Sequence, residues 1–217
     1  MTRRAPIKVN LEARAANAEL RRRQTRAKLL DAALEVIAEK GPEAASIEDY
    51  AAAAGVARGT VYNYFPTAAD LLDGVRRLIL RRATQSVQTA LDGVDDPAGR
   101  LAGLCLSLII YAGRNPTDAW AALRLERLRP TRSPDDPDVF DQAITDGLAR
   151  GRFRRVDPRS ARTLVTGAVR MAIHDVLTLT APANHAVGVT ALILAGLGLA
   201  AGEAEALTAE IARRAAD

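Results

Sequence analysis

Cysteine is almost missing from this chain: Cys105 stands alone among 217 residues, which excludes an intrachain disulfide. It lies in the apolar run LAGLCLSLII, the setting of a core residue rather than of a reactive thiol. Histidine is nearly as scarce, with only His174 and His185, and these two with one distant cysteine offer no metal-ligand spacing. G-x-S-x-G, P-loop and G-x-G-x-x-G signatures are missing too. The carboxylate pairs Asp95-Asp96 and Asp135-Asp136 fall in turns, where solvated caps account for them. The expectation is therefore no enzyme, no metal and no cofactor.

An unbroken membrane-spanning run is lacking as well. Residues 176–202 contain no Asp, Glu, Lys or Arg, but Pro182, Asn184 and His185 interrupt them and Gly188, Gly196, Gly198 and Gly202 follow. A buried helix fits that stretch better than a membrane span. The N-terminus has no apolar signal core, so the expected location is cytoplasmic with no membrane partner. Only ten prolines are present, and alternating β-branched runs are few, so the expected fold class is all-α. Hydrophobic residues at 48% and charged residues at 26% are ordinary globular values, and the chain is long enough to bury a real core. The net charge of +4 is unevenly placed. Residues 1–65 hold 11 Lys/Arg against 8 Asp/Glu, whereas residues 66–217 hold 19 against 18. The N-terminal part therefore faces a polyanion if any part does.

What is present is a compact pattern from Ser46 to Leu72, SIEDYAAAAGVARGTVYNYFPTAADLL. Ser46 followed by Asp49 predicts a capping box that opens a helix over 47–54. Ile47, Tyr50, Ala51 and Ala54 give that helix one inward face. Gly55 supplies the left-handed backbone of a helix–turn–helix corner. A second helix over 58–64 is predicted to bury Val61 and Phe65 and to turn Arg58, Thr60, Tyr62, Asn63 and Tyr64 outward. Pro66 ends it, and Thr67 with Asp70 caps a third helix. Arg can fork onto a guanine edge, Asn onto adenine, and a Thr methyl onto a thymine methyl. Gly59 allows close approach to the duplex, and the N–H groups at the helix start suit phosphate oxygens. The candidate DNA-binding set is Ser46, Arg58, Gly59, Thr60, Tyr62, Asn63 and Tyr64. Ahead of it, RRRQTRAK over 21–28 carries five cations and no acid. It reads either as a solvated helix start or as a basic arm reaching phosphate or the minor groove. Its position before the corner favours the arm and adds Arg21, Arg22 and Arg23 to the set.

From RAKLLDAALEVIAEKG through AAGVARGTVYNYFP to TAADLL, the chain resembles the tetracycline-repressor (TetR) family of bacterial transcriptional regulators. The resemblance covers about residues 24–72 and rests on the spacing of Gly41, Ser46, Ala51, Gly55, Val56, Gly59, Tyr62, Phe65 and Leu71. Three positions depart from the family pattern. Ala57 stands where Ser or Thr usually caps the recognition helix, a loss of about 1 kcal/mol to that helix. Ala68 replaces a common phosphate-contacting Lys, and Tyr50 a usual Ile or Val. The resemblance implies an N-terminal DNA-binding domain and a larger helical domain that binds an effector and dimerises. It implies a homodimer on a palindromic operator in double-stranded DNA, acting as a repressor that a small-molecule effector releases. The alternative is a dimeric small-molecule-binding protein whose DNA-binding head is vestigial, as Ala57 and Ala68 would allow.

The expected divisions are an arm over 1–20, mobile but with helix-forming potential, a helix–turn–helix domain over 21–67, and an effector-binding and dimerisation domain over 68–217. A continuous helix from about 68 to 91 joins the two without a linker. An apolar helix over 98–113 should sit mid-domain, followed by helices over 117–129, 138–150, 159–179, 185–197 and 203–215. PTRSPDDP, 130–137, reads as an exposed loop. By resemblance, 159–179 and 185–197 form the dimer seam, where Gly188, Ala191 and Ala195 allow close approach. Tyr111, Trp120, Arg124 and His174, polar-tipped groups within apolar helices, are the candidate effector-binding residues.

Overall fold

The computed structural model describes residues 11–126, 140–178 and 181–214. Every regular element among them is a helix. The run of helices is α1 (Leu11–Lys40), α2 (Ile47–Ala54), α3 (Arg58–Tyr64), α4 (Ala68–Leu91), α5 (Pro97–Arg114), α6 (Pro116–Glu126), α7 (Asp141–Ala149), α8 (Pro158–Leu177), α9 (His185–Gly196) and α10 (Ala201–Arg214). Residues 11–20, expected as an arm, form the first turns of α1. Residues 1–10, the PTRSPDDP segment and the end of the expected 117–129 helix lie outside the described residues.

Helix boundaries follow local chemistry. Both capping boxes form: the Ser46 hydroxyl accepts from Asp49 N–H while Asp49 accepts from Ser46 N–H at 2.8 Å. Thr67 and Asp70 repeat the arrangement at the start of α4. Such a pair satisfies two backbone donors that a helix start would otherwise leave open. Lys40 also reaches Asp49 at 2.8 Å. That bond and those from Ser46 hold the Asp49 carboxyl well below the usual carboxylate range. Gly55 closes α2 at φ +62°, a left-handed conformation that a side chain would strain.

Two cores result. The first gathers Leu29, Leu30, Ala33, Leu34 and Ile37 of α1 with Tyr50, Ala51, Ala54, Val61 and Phe65. Leu71, Val75 and Ile79 of α4 enter it, and so do Ala121 and Leu125 of α6. The head therefore shares its interior with α6, far along the chain, so residue 67 marks a change of element but not a break in packing. Tyr50 is 2% exposed, and burial with the nearby Asp49 charge pushes its phenol up to about 12.

The second core surrounds α5, which is buried on nearly every side. Leu101, Leu104, Leu106 and Ile109 meet Ile144, Phe153, Val165, Val169, Ile193, Leu194 and Ile211. Cys105 is wholly buried among them, and burial raises its thiol pKa far above the ordinary value. It is a packing residue. Leu197 and Leu199, after α9, also belong to this core, as expected for the uncharged stretch.

One close approach constrains this core strongly. A Cβ built on Gly147 would lie 2.1 Å from the Phe153 ring, and Phe153 is 3% exposed, so the ring has little room to yield. Gly147→Ala should cost about 1–3 kcal/mol through overpacking and lower Tm by roughly 2–12 °C. An unchanged melting curve would mean that the Phe153 ring is not confined.

Candidate nucleic-acid interface and the seam behind it

Helix α3 is short because its sequence stops it. Ala57 provides no side-chain cap, the Phe65 N–H donates back to Val61 O, and proline follows. Its inward side is Val61, with Phe65 just beyond, both buried. Arg58, Gly59, Tyr62 and Asn63 are exposed, whereas Thr60 and Tyr64 are half-buried. Tyr64 rests against the head core and is thus less outward than periodicity predicted, because a seven-residue helix on a single core cannot shed its whole far side. Nothing lies within 4 Å of a Cβ built on Gly59, so this part of the helix start is open to an approaching surface.

Two polar groups of α3, those of Arg58 and Tyr62, are already engaged in the free chain. The Arg58 guanidinium donates to Glu48 of α2 and to the Tyr62 hydroxyl at 3.4 Å, and stands 5.5 Å from the Tyr62 ring centroid. Arg58 is thereby aimed along the exposed side of the corner and away from the core. Ser46 is exposed but uses its hydroxyl in the capping box, at 2.7 Å from Asp49 Oδ2. Arg21, Arg22 and Arg23 are exposed on α1, and Arg23 pairs with Glu19 at 3.0 Å.

Behind the interface, side chains bind the head to the larger domain. Arg82 of α4 donates to Asp31 of α1 at 2.6 Å and to Asp118 of α6 at 3.2 Å. The Tyr111 hydroxyl of α5 donates to the same Asp118. Burial, aided by that bond, keeps the Tyr111 phenol well above its usual pKa range, so it remains a neutral donor. Arg124 reaches the Ile37 carbonyl at 3.4 Å, and Arg76 the Leu125 carbonyl at 3.2 Å.

Of the four residues expected to bind an effector, three come together. Trp120 meets His174 edge-on with ring centroids 6.0 Å apart, and Arg124 stands 5.9 Å from the Trp120 ring. Tyr111 instead commits its hydroxyl to Asp118. Trp120 lines an open groove of about 400 Å³ between α1 and α6, with Glu35, Glu39 and Thr117. A second hollow of about 320 Å³ lies between α5, the end of α8 and the start of α9. Its walls include Ile109, Ile110, Val176, Pro182 and His185. His185 is not among the residues expected from the sequence to bind an effector. Standing beside a proline loop, it carried no periodic signal to mark it.

Residues 29–75 match the family model described as bacterial regulatory proteins, tetR family, so the whole N-terminal half of α1 lies ahead of the match. The chain is 39% identical over 69 residues to YvdT of Bacillus subtilis strain 168, an uncharacterized HTH-type transcriptional regulator, covering 32% of this chain and 36% of that one. It is 38% identical over 78 residues to the HTH-type transcriptional repressor LfrR of Mycolicibacterium smegmatis, covering 36% and 38%. The matched stretch thus spans little more than a third of these relatives. The fold likeness extends further. The resorcinol complex of RolR aligns over 88% of this chain and 95% of its own, with a TM-score of 0.56 at 24% identity. The matched segment, residues 29–75, is thus similar to the helix–turn–helix of the tetR family of bacterial regulatory proteins, and the helical fold behind it is shared with RolR.

Proposed function

We propose that this protein is a cytoplasmic transcriptional regulator that binds a palindromic operator as a homodimer and releases it when a small molecule binds the larger domain. The observation carrying the reading is the outer side of α3. Arg58, Tyr62 and Asn63 are exposed together beside an open Gly59, on a helix held from behind by Val61 and Phe65. These residues, with Thr60 and the half-buried Tyr64, enter the major groove, and cations of α1 contact phosphate. Arg58 exchanges Glu48 for a base edge or a phosphate on binding. The reading as a carrier with a vestigial head draws on the uncapped Ala57, and operator binding decides between the two.

Dimerisation is supported by apolar side chains that α8 and α9 leave outside. Leu192 is 73% exposed, Met171 61% and Leu164 43%, and Gly167 and Gly188 stand beside open space. A face with large apolar groups and two gaps for close approach suits a symmetric helix pair. Recognition helices must lie about 34–36 Å apart to enter successive major grooves, so the seam sets the spacing of the heads. RolR, whose structure was solved with resorcinol, supports a small-molecule effector. Trp120, Arg124 and His174 are the proposed contacts, with Tyr111 acting through Asp118 on the Arg82 link between the head and the larger domain.

Three outcomes test this. Tyr62→Phe and Thr60→Ala should each weaken binding to DNA upstream of the protein's own coding sequence by about 5–30-fold while Tm stays within a degree or two, because one polar contact is worth about 1–2 kcal/mol. Unchanged binding in both variants removes α3 from the interface. Leu192→Asp combined with Met171→Asp should leave the helical content intact, yet yield monomers in sedimentation and abolish tight operator binding. Dimers that persist in the double variant place the seam elsewhere. A ligand found by thermal-shift screening should lower operator affinity, and operator should lower ligand affinity by the same factor. In Asp31→Ala, which detaches α1 from Arg82, that factor should move toward one. A factor unaffected by the substitution would exclude this link from the switch.

A further inference from the structure

Charge along the chain is divided more sharply than the fold. Residues 1–28 hold nine Lys/Arg and two Asp/Glu, a net +7. Residues 29–67, which include both helices of the corner, hold two Lys/Arg and six Asp/Glu, a net −4. The two cations there, Lys40 and Arg58, are each paired with a carboxylate. The base-reading module is therefore acidic, and by itself it would be repelled by a polyanion. Phosphate neutralisation has to come from elsewhere.

The shape of α1 gives the source. Its described side chains from Arg14 to Lys28 are exposed except Thr25, which is half-buried, and core packing begins at Leu29. About 22 Å of helix thus projects from the head, at about 1.5 Å per residue. Arg14, Arg21 and Lys28 recur every seven residues and so fall on one side, with a drift of only about 20° per step. Asn17 and Gln24 lie between them on the same side. None of the three cations forms an ion pair with the described residues. The stripe also has a direction, because a Cβ built on Gly55 would stand 3.8 Å from Lys28 Nζ. One end of the stripe therefore abuts the corner that delivers the N-terminus of α3. Arg22 and Arg23 lie about 100° and 200° further round the helix, and Arg23 is engaged by Glu19.

We propose that the projecting half of α1 is a second DNA-binding surface, with Arg14, Arg21 and Lys28 laid along the phosphate backbone beside the half-site that α3 reads. The proposal rests on the DNA-binding reading above and assigns the affinity to residues apart from those that discriminate bases. The three cations span about 21 Å, the rise of about six base pairs. A helix about 10–12 Å across does not fit a minor groove about 6 Å wide, so this surface follows phosphate and does not read bases. Asn17 and Gln24 add neutral donors to phosphate oxygens along the same line.

The test compares two variants of the full-length protein with equal charge loss, Arg14→Gln with Arg21→Gln, and Arg22→Gln with Arg23→Gln. Glutamine keeps helix propensity close to that of arginine, and circular dichroism checks that helical content is retained. Each is titrated against a duplex from upstream of the protein's own coding sequence and against a shuffled duplex, over a range of salt. The stripe pair should make the slope of log affinity against log salt shallower by about 1.8 per engaged protomer, from about 0.9 per contact. It should weaken both duplexes by the same factor, leaving their ratio unchanged. The off-stripe pair should change the slope by less than half as much. Equal slope changes in the two variants, or none in the stripe pair, overturn the proposal while leaving the preference of the wild type for its upstream duplex, and with it the regulator reading, intact. A wild-type protein that binds neither duplex overturns both.

Discussion

The Arg82 guanidinium holds the two halves of the molecule in register. One of its nitrogens reaches Asp31 on the first helix and another reaches Asp118 on the sixth, which also accepts from Tyr111 on the fifth. Four helices converge on this one planar cation, whose fork geometry lets it bond two carboxylates at once. Asp118 is 6% exposed, so its charge is tolerable only with these partners in place. Around this point α6 contributes Ala121 and Leu125 to the head core. A head that shares its interior with the larger domain cannot tilt without disturbing α4 and α6 together.

The same rigidity explains why α3 can be short and uncapped. Helix α3 has seven residues and no N-terminal side-chain cap, too little to persist by propensity alone. Its position comes from Val61 and Phe65 in the head core, from Gly55 at the corner, and from two neighbouring helices that carry complete capping boxes. Stability is borrowed from tertiary packing, and the exposed side is left free for chemistry. Pairing of Arg58 with Glu48 and Tyr62 keeps that side ordered in the free chain.

Division of labour extends to electrostatics. The corner helices carry shape and hydrogen-bonding groups but a net negative charge, and the projecting part of α1 carries the positive charge. Elsewhere, α8 and α9 leave Met171 and Leu192 exposed.

Local chemistry was legible from residues alone. Both capping boxes, the Gly55 corner, the inward Val61 and Phe65, the stop at Pro66 and the apolar α5 depend on neighbours within a turn or two, which the chain states directly. The all-helical class follows from the same short-range signals. Other features joined residues far apart in sequence. Arg82 meets Asp31 and Asp118 across 51 and 36 positions, and Arg124 meets Ile37 across 87. Trp120 meets His174 only because α6 and α8 pack together. Periodicity describes one helix at a time and carries no information about which helix lies opposite. The bond from Tyr111 to Asp118 also joins α5 to α6, a pairing that periodicity does not state. The length of α1 was likewise undecided, since an arginine-rich start is compatible with either coil or helix. Which residues form elements was thus set by short-range sequence. Which elements face one another, and so which charges are paired and which remain free, was decided only by the tertiary fold.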